Sequence, residues 1–167
     1  MKVTDRTTGR SFTAAGAPVA ADSDDGSLTD LALTCAPTSD KLTAYDIASG
    51  KPMWTSGGAV PGGGQLLILD GRIIRSGDST LTSIDGRTGK TVWTTATKQS
   101  DGDSLVTDGR LVVRAQSTHS GGTVLTAYGV DDGLPRWQTH IADDLSIFVI
   151  GRRLYGWSGR GGLVALG

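Results

Sequence analysis

Few residues in this sequence could act in catalysis, and their spacing does not assemble a reaction centre. The run Gly102–Leu105 reads Gly-Asp-Ser-Leu, the nucleophile block of one group of hydrolases. Such a serine needs a base, which those hydrolases carry as an Asp-x-x-His late in the chain. The residues three positions before His119 and His140 are Gln116 and Trp137. We therefore interpret Gly102–Leu105 as a polar turn that enters a strand.

Metal binding has one candidate segment, Asp22–Gly26, which is similar to the opening of a calcium-binding EF-hand loop. Such a loop carries a bidentate Glu at its twelfth position, and this chain has Leu33 there. With two histidines and a single cysteine, Cys35, the sequence offers neither a zinc cluster nor an internal disulfide. We expect a solvated turn at Asp22–Gly26, a small buried hydrophobic residue at Cys35, and no metal site.

The charge balance bears on possible partners. The chain has 16 Lys and Arg against 17 acidic residues, a net charge of -1, which gives no electrostatic basis for binding nucleic acid or an anionic membrane. Arg152, Arg153 and Arg160 lie close in sequence; we interpret them as surface charge, with an anionic ligand site as the alternative. The longest apolar runs, residues 66–69 and 147–150, are too short to span a bilayer. We expect no nucleic-acid partner and no membrane insertion.

The amino-acid composition predicts strands and turns. All 17 acidic residues are Asp, and the chain contains no Glu and no Asn. Glu is a strong helix former and Asp a weak one, whereas the 25 glycines and the many Thr and Ser residues favour turns and strands. We therefore expect an all-β chain.

A segment of the form Asp-x-x-x-Gly-x-x-x-Trp recurs along the chain. Two copies begin at Asp46 and Asp85, a third has Gly129 in place of the Asp, and a fourth begins at Asp5 and lacks the Trp. The copies begin at positions 5, 46, 85 and 129, so successive copies are 41, 39 and 44 residues apart. A period of about 40 residues with several short strands per unit is typical of propeller blades.

Each repeat also contains a predicted hairpin ahead of the motif, as at residues 66–75, 105–113 and 147–155. Two hairpin strands and two strands flanking the motif give four strands per repeat. The sequence thus predicts a β-propeller of four-stranded antiparallel blades, in one domain that spans residues 1–167. The expected repeats are residues 14–55, 65–95, 104–139 and 145–167, with residues 1–13 as a closing strand.

The motif residues have separate physical tasks. An Asp side chain can bond backbone N–H groups just ahead and close the turn, the Gly permits positive φ, and a Trp on the outermost strand can cover the gap to the next blade. The predicted site is therefore a structural docking motif and not a catalytic or cofactor-binding one. Its residues are Asp46, Gly50, Trp54, Asp85, Gly89, Trp93, Gly133 and Trp137.

These segments resemble the tryptophan-docking motif Ala-x-Asp-x-x-Thr-Gly-x-x-x-Trp of pyrroloquinoline-quinone-type (PQQ-like) β-propeller repeats. Ser49 and Thr88 fall on the Thr position of that motif, and Asp132 departs from it. The resemblance covers nearly the whole chain. It implies a fold rather than one function, because the family includes quinoprotein dehydrogenases, non-enzymatic outer-membrane assembly lipoproteins and sensor domains of bacterial receptor kinases.

The quinone site that the resemblance implies for the dehydrogenases uses Glu and Asn, and in many members a pair of adjacent cysteines. This chain has no Glu, no Asn and one Cys, so we expect no cofactor. We predict a non-enzymatic scaffold or sensor module that binds a protein or small ligand through its loop faces. The alternative is a fragment of a quinoprotein-like dehydrogenase whose catalytic blades lie outside this chain.

The family resemblance also implies an extracytoplasmic, bacterial setting, although the opening Met1-Lys2-Val3-Thr4 is not that of a signal peptide. Val164-Ala165-Leu166-Gly167 aligns with the start of the repeated motif, as does Val3-Thr4-Asp5. We therefore expect the ring to be completed by a protein partner or by a second copy, with closure of the four repeats on themselves as the alternative.

Overall fold

The computed structural model describes residues 1–36, 41–56, 65–77, 79–98, 103–118, 121–151, 153–158 and 162–166. Within these ranges the regular structure consists of strands, and no helix is long and apolar enough to cross a membrane. The strands are β1 (Lys2–Thr4), β2 (Ser11–Thr13), β3 (Ala17–Pro18), β4 (Ser23–Asp24), β5 (Leu31–Cys35), β6 (Leu42–Asp46), β7 (Pro52–Thr55), β8 (Leu66–Leu69), β9 (Arg72–Ser76), β10 (Thr80–Asp85), β11 (Thr91–Ala96), β12 (Asp103–Thr107), β13 (Leu111–Ser117), β14 (Thr123–Gly129), β15 (Pro135–Ile141), β16 (Leu145–Ile150), β17 (Arg153–Ser158) and β18 (Gly162–Ala165).

The strands form a succession of small sheets in which most adjacent strands are also neighbours in sequence, the exceptions being β3 beside β5 and β4 beside β8. The sheet orders are β1-β2, β3-β5-β6-β7, β11-β10-β9-β8-β4, β12-β13-β14-β15 and β16-β17-β18. This succession of short-stranded sheets confirms the predicted all-β, propeller-type fold. The last sheet differs from the expected four strands, because β18 is its edge strand among the described residues.

Tight turns explain why the strands stay short. At the β8–β9 turn, Asp70 has φ of 49° and Gly71 has φ of 71°. Positive φ at both central residues is typical of the type I′ hairpin turn, whose twist matches that of the strands it joins, and Asp-Gly is a favoured pair in that turn. The strands on either side pair Ile68 with Ile73 and Leu69 with Arg72.

The segment Asp22–Gly26 is more than the solvated turn that its sequence suggests. Its residues Ser23–Asp24 form β4, which pairs in parallel with β8. The Asp22 carboxylate accepts a hydrogen bond from the Leu66 N–H at 2.8 Å, and the Asp25 carboxylate accepts one from the Asp70 N–H at 2.7 Å. These carboxylates therefore bind the backbone of a neighbouring hairpin.

The chain divides into two compact units. Unit 1 comprises Met1–Arg75 and Ile84–Val92, and unit 2 comprises Ser76–Ser83 and Trp93–Gly167. The core of unit 1 contains Leu28, Leu31, Leu33, Leu42, Ala44, Trp54, Leu66, Ile68, Ile73 and Ile84. The core of unit 2 contains Val113, Ala115, Leu125, Ala127 and Ile147.

Candidate functional site

Four turns along the chain share one backbone pattern. In each, the N–H of the first residue donates to a carbonyl five residues ahead, and the N–H of the Gly donates back to the carbonyl of that first residue. The first residues are Asp5, Asp46, Asp85 and Gly129, and the glycines are Gly9, Gly50, Gly89 and Gly133, with φ of 72°, 70°, 69° and 66°. All four copies of the sequence motif therefore fold into the same turn.

The motif carboxylates close these turns through their own loop. The Asp85 Oδ1 atom accepts bonds from the Thr88 N–H at 2.7 Å and the Thr88 hydroxyl at 2.9 Å. Asp46 accepts a bond from the Ser49 N–H at 2.7 Å. Hydrogen bonds favour the charged form of a carboxyl, so the Thr88 side chain lowers the pKa of Asp85 and the Ser49 side chain lowers the pKa of Asp46.

The third turn lacks the motif Asp because another Asp has taken over its task. The Leu134 N–H donates to Asp132 at 3.0 Å, and Arg136 donates to the same carboxylate at 2.7 Å. A Cβ placed on Gly129 would lie 2.5 Å from the Asp132 carboxylate and 2.6 Å from Arg136. A side chain at position 129 would therefore have to displace the Asp132–Arg136 pair, which occupies that space.

Trp54 lies on the turn of the next repeat. Its indole Nε1 donates to the Gly86 carbonyl at 2.8 Å, and the side chain is buried, with 9% exposure. A Cβ on Gly89 would lie 2.6 Å from the indole ring. Gly89 thus serves both the positive φ of the turn and the close approach of the ring.

Trp93 makes the same contact one repeat further on. Its Nε1 donates to the Val130 carbonyl at 2.9 Å, and its exposure is also 9%. A Cβ on Gly133 would lie 2.4 Å from the ring, and the Thr95 hydroxyl adds a bond of 2.7 Å to the Gly133 carbonyl. The structure therefore brings together Trp54 with Gly89, and Trp93 with Gly133.

Phe12 takes the equivalent place on the Gly50 turn, which sequence spacing did not reveal. A Cβ on Gly50 would lie 2.8 Å from the Phe12 ring. Phe12 pairs with Val3 without a register shift, whereas a bulge accompanies the pairing of Trp54 with Ala44. Because β1 and β2 lack that bulge, the aromatic residue stands one position earlier than the motif predicts.

One predicted aromatic residue and one turn remain without this contact. Trp137 pairs with Ala127 at a bulge, as Trp54 pairs with Ala44, yet its exposure is 39%. No described atom lies within 4 Å of the position of a Cβ on Gly9. Trp137 and Gly9 are therefore the two members of the series whose docking surfaces are open.

A groove of about 570 Å³ lies within unit 2. One wall is the end of β11 with the residues after it, and the floor is one face of the sheet β13-β14-β15. Its lining residues are Thr95, Ala96, Thr97, Lys98, Gln116, Ser117, Thr118, Val124, Thr126, Tyr128, Pro135 and Gln138. Of the described lining residues, most of the polar ones carry hydroxyl or amide groups, and Lys98 is the charged one.

Hydrogen bonds fix the shape of the groove. Gln116 Nε2 donates to the Lys98 carbonyl at 2.7 Å, and Gln138 Nε2 donates to the Thr126 hydroxyl at 2.9 Å. The fully buried Arg114 lies behind the same wall, with Nη1 3.4 Å from the Lys98 carbonyl. These residues were not predicted as a site, because they come from separate strands and share no sequence motif.

The other residues considered for chemistry are not brought together. Cys35 is a free, half-buried cysteine, and His140 is exposed on β15 opposite Val124. Gly102, His119, Arg152 and Arg160 lie outside the described residues. In the described part of the chain, no three His, Cys or Asp side chains are grouped as metal ligands would be.

Repeated short-stranded sheets, with aromatic rings on Asp–Gly turns one repeat ahead, define a β-propeller repeat protein of the PQQ-like class. The chain belongs to the family described as outer membrane protein assembly factor BamB, whose model matches residues 3–165. No curated protein matches the sequence.

Solved structures share the fold at low sequence identity. BamB from Moraxella catarrhalis is 21% identical, with a TM-score of 0.60 over 93% of this chain and 51% of that one. The computationally designed Ika4 protein is 12% identical, with a TM-score of 0.66 over 92% of both chains. The dihydro-heme d1 dehydrogenase NirN is 16% identical, with a TM-score of 0.63 over 94% of this chain and 36% of that one. This chain thus spans about half the length of the BamB structure.

Proposed function

We propose that this chain is a non-catalytic, extracytoplasmic scaffold module that binds an extended segment of a partner protein in the groove of unit 2. The observation that carries the proposal is the lining of that groove by neutral hydroxyl and amide groups beside an edge strand. Its membership of a family named for an outer membrane protein assembly factor supports both the scaffold role and the location. Completion of the ring by a protein partner or a second copy belongs to the same proposal.

The geometry of the groove favours a polypeptide ligand. The wall strand β11 is the edge strand of its sheet, and an edge strand can accept main-chain hydrogen bonds from an added extended segment. On the floor, Val124, Thr126 and Tyr128 alternate along β14 and so share one face. Alternate residues of an extended segment point to the same side, so every second side chain of the partner segment would face this row of floor residues.

Site-specific photocrosslinking tests this proposal. A photoreactive side chain at Gln138, which is exposed on the groove floor, should form an adduct with a partner protein in cells. The matched control position is Thr55, which is exposed on β7 beside Thr43 and does not line the groove. Val124→Trp should fill the groove and abolish the Gln138 adduct. Equal adducts at both positions, or adducts insensitive to Val124→Trp, would refute groove binding.

Quinone binding separates the scaffold from the dehydrogenase alternative. Because the chain contains no Glu, no Asn and one Cys, calorimetric titration with pyrroloquinoline quinone, with and without calcium, should give no heat of binding. A stoichiometric complex would restore the enzyme interpretation.

A further inference from the structure

The docking contacts form an ordered series in which each aromatic ring covers the turn glycine of the next repeat. Phe12 lies on Gly50, and Trp54 lies on Gly89. Trp93 then lies on Gly133. Among the described residues, the series leaves the Trp137 ring without a turn to cover and the Gly9 turn without a ring that covers it.

The open turn already has the form that receives a ring. The Asp5 carboxylate accepts bonds from the Thr7 N–H at 2.8 Å and the Thr8 hydroxyl at 2.5 Å. The N–H of Gly9 donates to the Asp5 carbonyl at 2.8 Å, and φ of Gly9 is 72°. These values match those of the covered turn at Gly89, whose φ is 69°. The turn is therefore formed before any ring lies on it.

The open ring is likewise held in the docking arrangement. Trp137 stands across from Ala127 at a bulge, the pairing that Trp54 makes with Ala44. Its side chain is 39% exposed, against 9% for Trp54. The difference between the two is the missing turn and not the local backbone.

We infer that the Trp137 ring of one copy of this chain docks on the Gly9 turn of a second copy, so that two copies associate head to tail through two such contacts. The contact continues an interface that the chain already makes three times, in the same order of ring and turn. This inference rests on the ring completion proposed above and not on the groove.

The inference has a consequence for the last sheet. In that sheet β18 is the third strand, the position that β14 occupies in the sheet before it. The β1–β2 hairpin of a second copy would place its β1 at this same position, beside β17. The strand β18 buries little side-chain surface, because Leu163, Val164 and Ala165 are exposed, whereas β14 is largely buried. We therefore expect the second copy's hairpin to displace β18.

The test is the mass of the 167-residue chain in solution, measured by sedimentation over a series of concentrations. The mass should rise from 17.2 kDa to twice that value. Trp137→Ala should weaken the association by roughly tenfold or more, as expected for a central aromatic anchor. Met53→Ala is the control, because Met53 is 46% exposed and lies on β7, which takes no part in the proposed contact.

The turn side of the contact is tested by Gly9→Ala, which adds a methyl group where the ring must lie. The matched control is Gly71→Ala, because Gly71 has φ of 71° against 72° for Gly9 and equally open space around it. Gly9→Ala should weaken association, and Gly71→Ala should not. A mixture of the Trp137→Ala and Gly9→Ala chains should recover association, because one of the two contacts is then intact.

Removal of separate segments distinguishes the roles of the two strands. Deleting residues 1–13 should abolish association, and deleting residues 162–167 should preserve or strengthen it. Three results would overturn the inference. A monomer with a buried Trp137 would indicate that the ring closes within one chain. A monomer with an exposed Trp137 would indicate that repeats of another sequence make the contact. The third result is a dimer whose association Trp137→Ala does not change. A failed crosslink at Gln138 would refute groove binding and leave this result unchanged.

Discussion

Trp93 and Trp137 occupy the same position in consecutive repeats, and their surroundings differ. Trp93 is 9% exposed and donates its N–H to the Val130 carbonyl, whereas Trp137 is 39% exposed. Both stand on the outermost strand of a four-strand succession, so strand position alone does not bury a tryptophan. The turn of the following repeat supplies the acceptor and the surface. The comparison shows that a docking residue is half of a contact whose other half lies about 40 residues later.

The largest expected difference is between alanine substitutions at these two positions. Trp93→Ala should lower the free energy of unfolding by about 3–5 kcal/mol, because it removes a buried aromatic ring. Trp137→Ala should cost about 1 kcal/mol or less at concentrations where the chain is monomeric, because its ring is already partly in water. Urea denaturation followed by circular dichroism measures both. Equal midpoints for the two variants would show that the docked ring contributes nothing beyond its strand.

Alanine at the turn glycines should give a smaller difference of the same sign. Gly9→Ala introduces only the strain of a side chain at positive φ, about 1–2 kcal/mol. Gly89→Ala adds to this strain a Cβ that would lie 2.6 Å from the Trp54 ring, and such overpacking typically costs about 1–3 kcal/mol more. The measurement is thermal unfolding of the two variants. If Gly9→Ala were the more damaging, the turn at Gly9 would already be covered in the free chain.

Trp93→Phe isolates the hydrogen bond from the ring. The variant keeps an aromatic ring over Gly133 and loses the donor to the Val130 carbonyl, so unfolding should become easier by about 1 kcal/mol. Trp137→Phe should have no measurable effect on the monomer. Stability differences are best read from chemical denaturation with fluorescence excited at tyrosine as well as tryptophan.

Low pH should destabilise the covered turn at Gly89 and the open turn at Gly9 to the same extent, so pH gives the smallest difference between them. Thr88 lowers the pKa of Asp85, and Thr8 lowers the pKa of Asp5, both below the ordinary value of 3.8. A carboxyl with a lowered folded pKa stabilises the fold above its unfolded pKa, and this contribution disappears as pH falls through the folded pKa. Stability should therefore decline below about pH 4, and Asp85→Asn should flatten that decline as much as Asp5→Asn does.

The turns at the repeated motif have local determinants. Asp46, Asp85, Gly50 and Gly89 act within a few residues of themselves, so their spacing in the sequence is enough to suggest a turn at each motif. The period of the motif also predicted the all-β, propeller-type fold. These successes reflect short-range hydrogen bonds and positive φ, both of which can be recognised in a single stretch of chain.

The missed features depend on cross-strand geometry. Phe12 could not be assigned from spacing because the absence of one bulge moves the aromatic residue by one position. The groove escaped notice because Lys98, Gln116 and Gln138 come from three separate segments. The parallel pairing of β4 with β8 was also missed, since it depends on carboxylates at Asp22 and Asp25 that bond a backbone about 44 residues away.

Phe12 has a consequence for how the chain comes apart. Each ring joins one repeat only to its successor, and in such an array the stability is a sum of repeat terms and nearest-neighbour terms. The link made by Phe12 is the weakest of the three. Trp54 and Trp93 each donate an indole N–H to a carbonyl of the turn that they cover, and a phenyl ring has no such donor. Of the segments that these three rings join, the β1–β2 hairpin should therefore open first, with amide hydrogen exchange faster at residues 2–13 than in the strands held by Trp54 and Trp93.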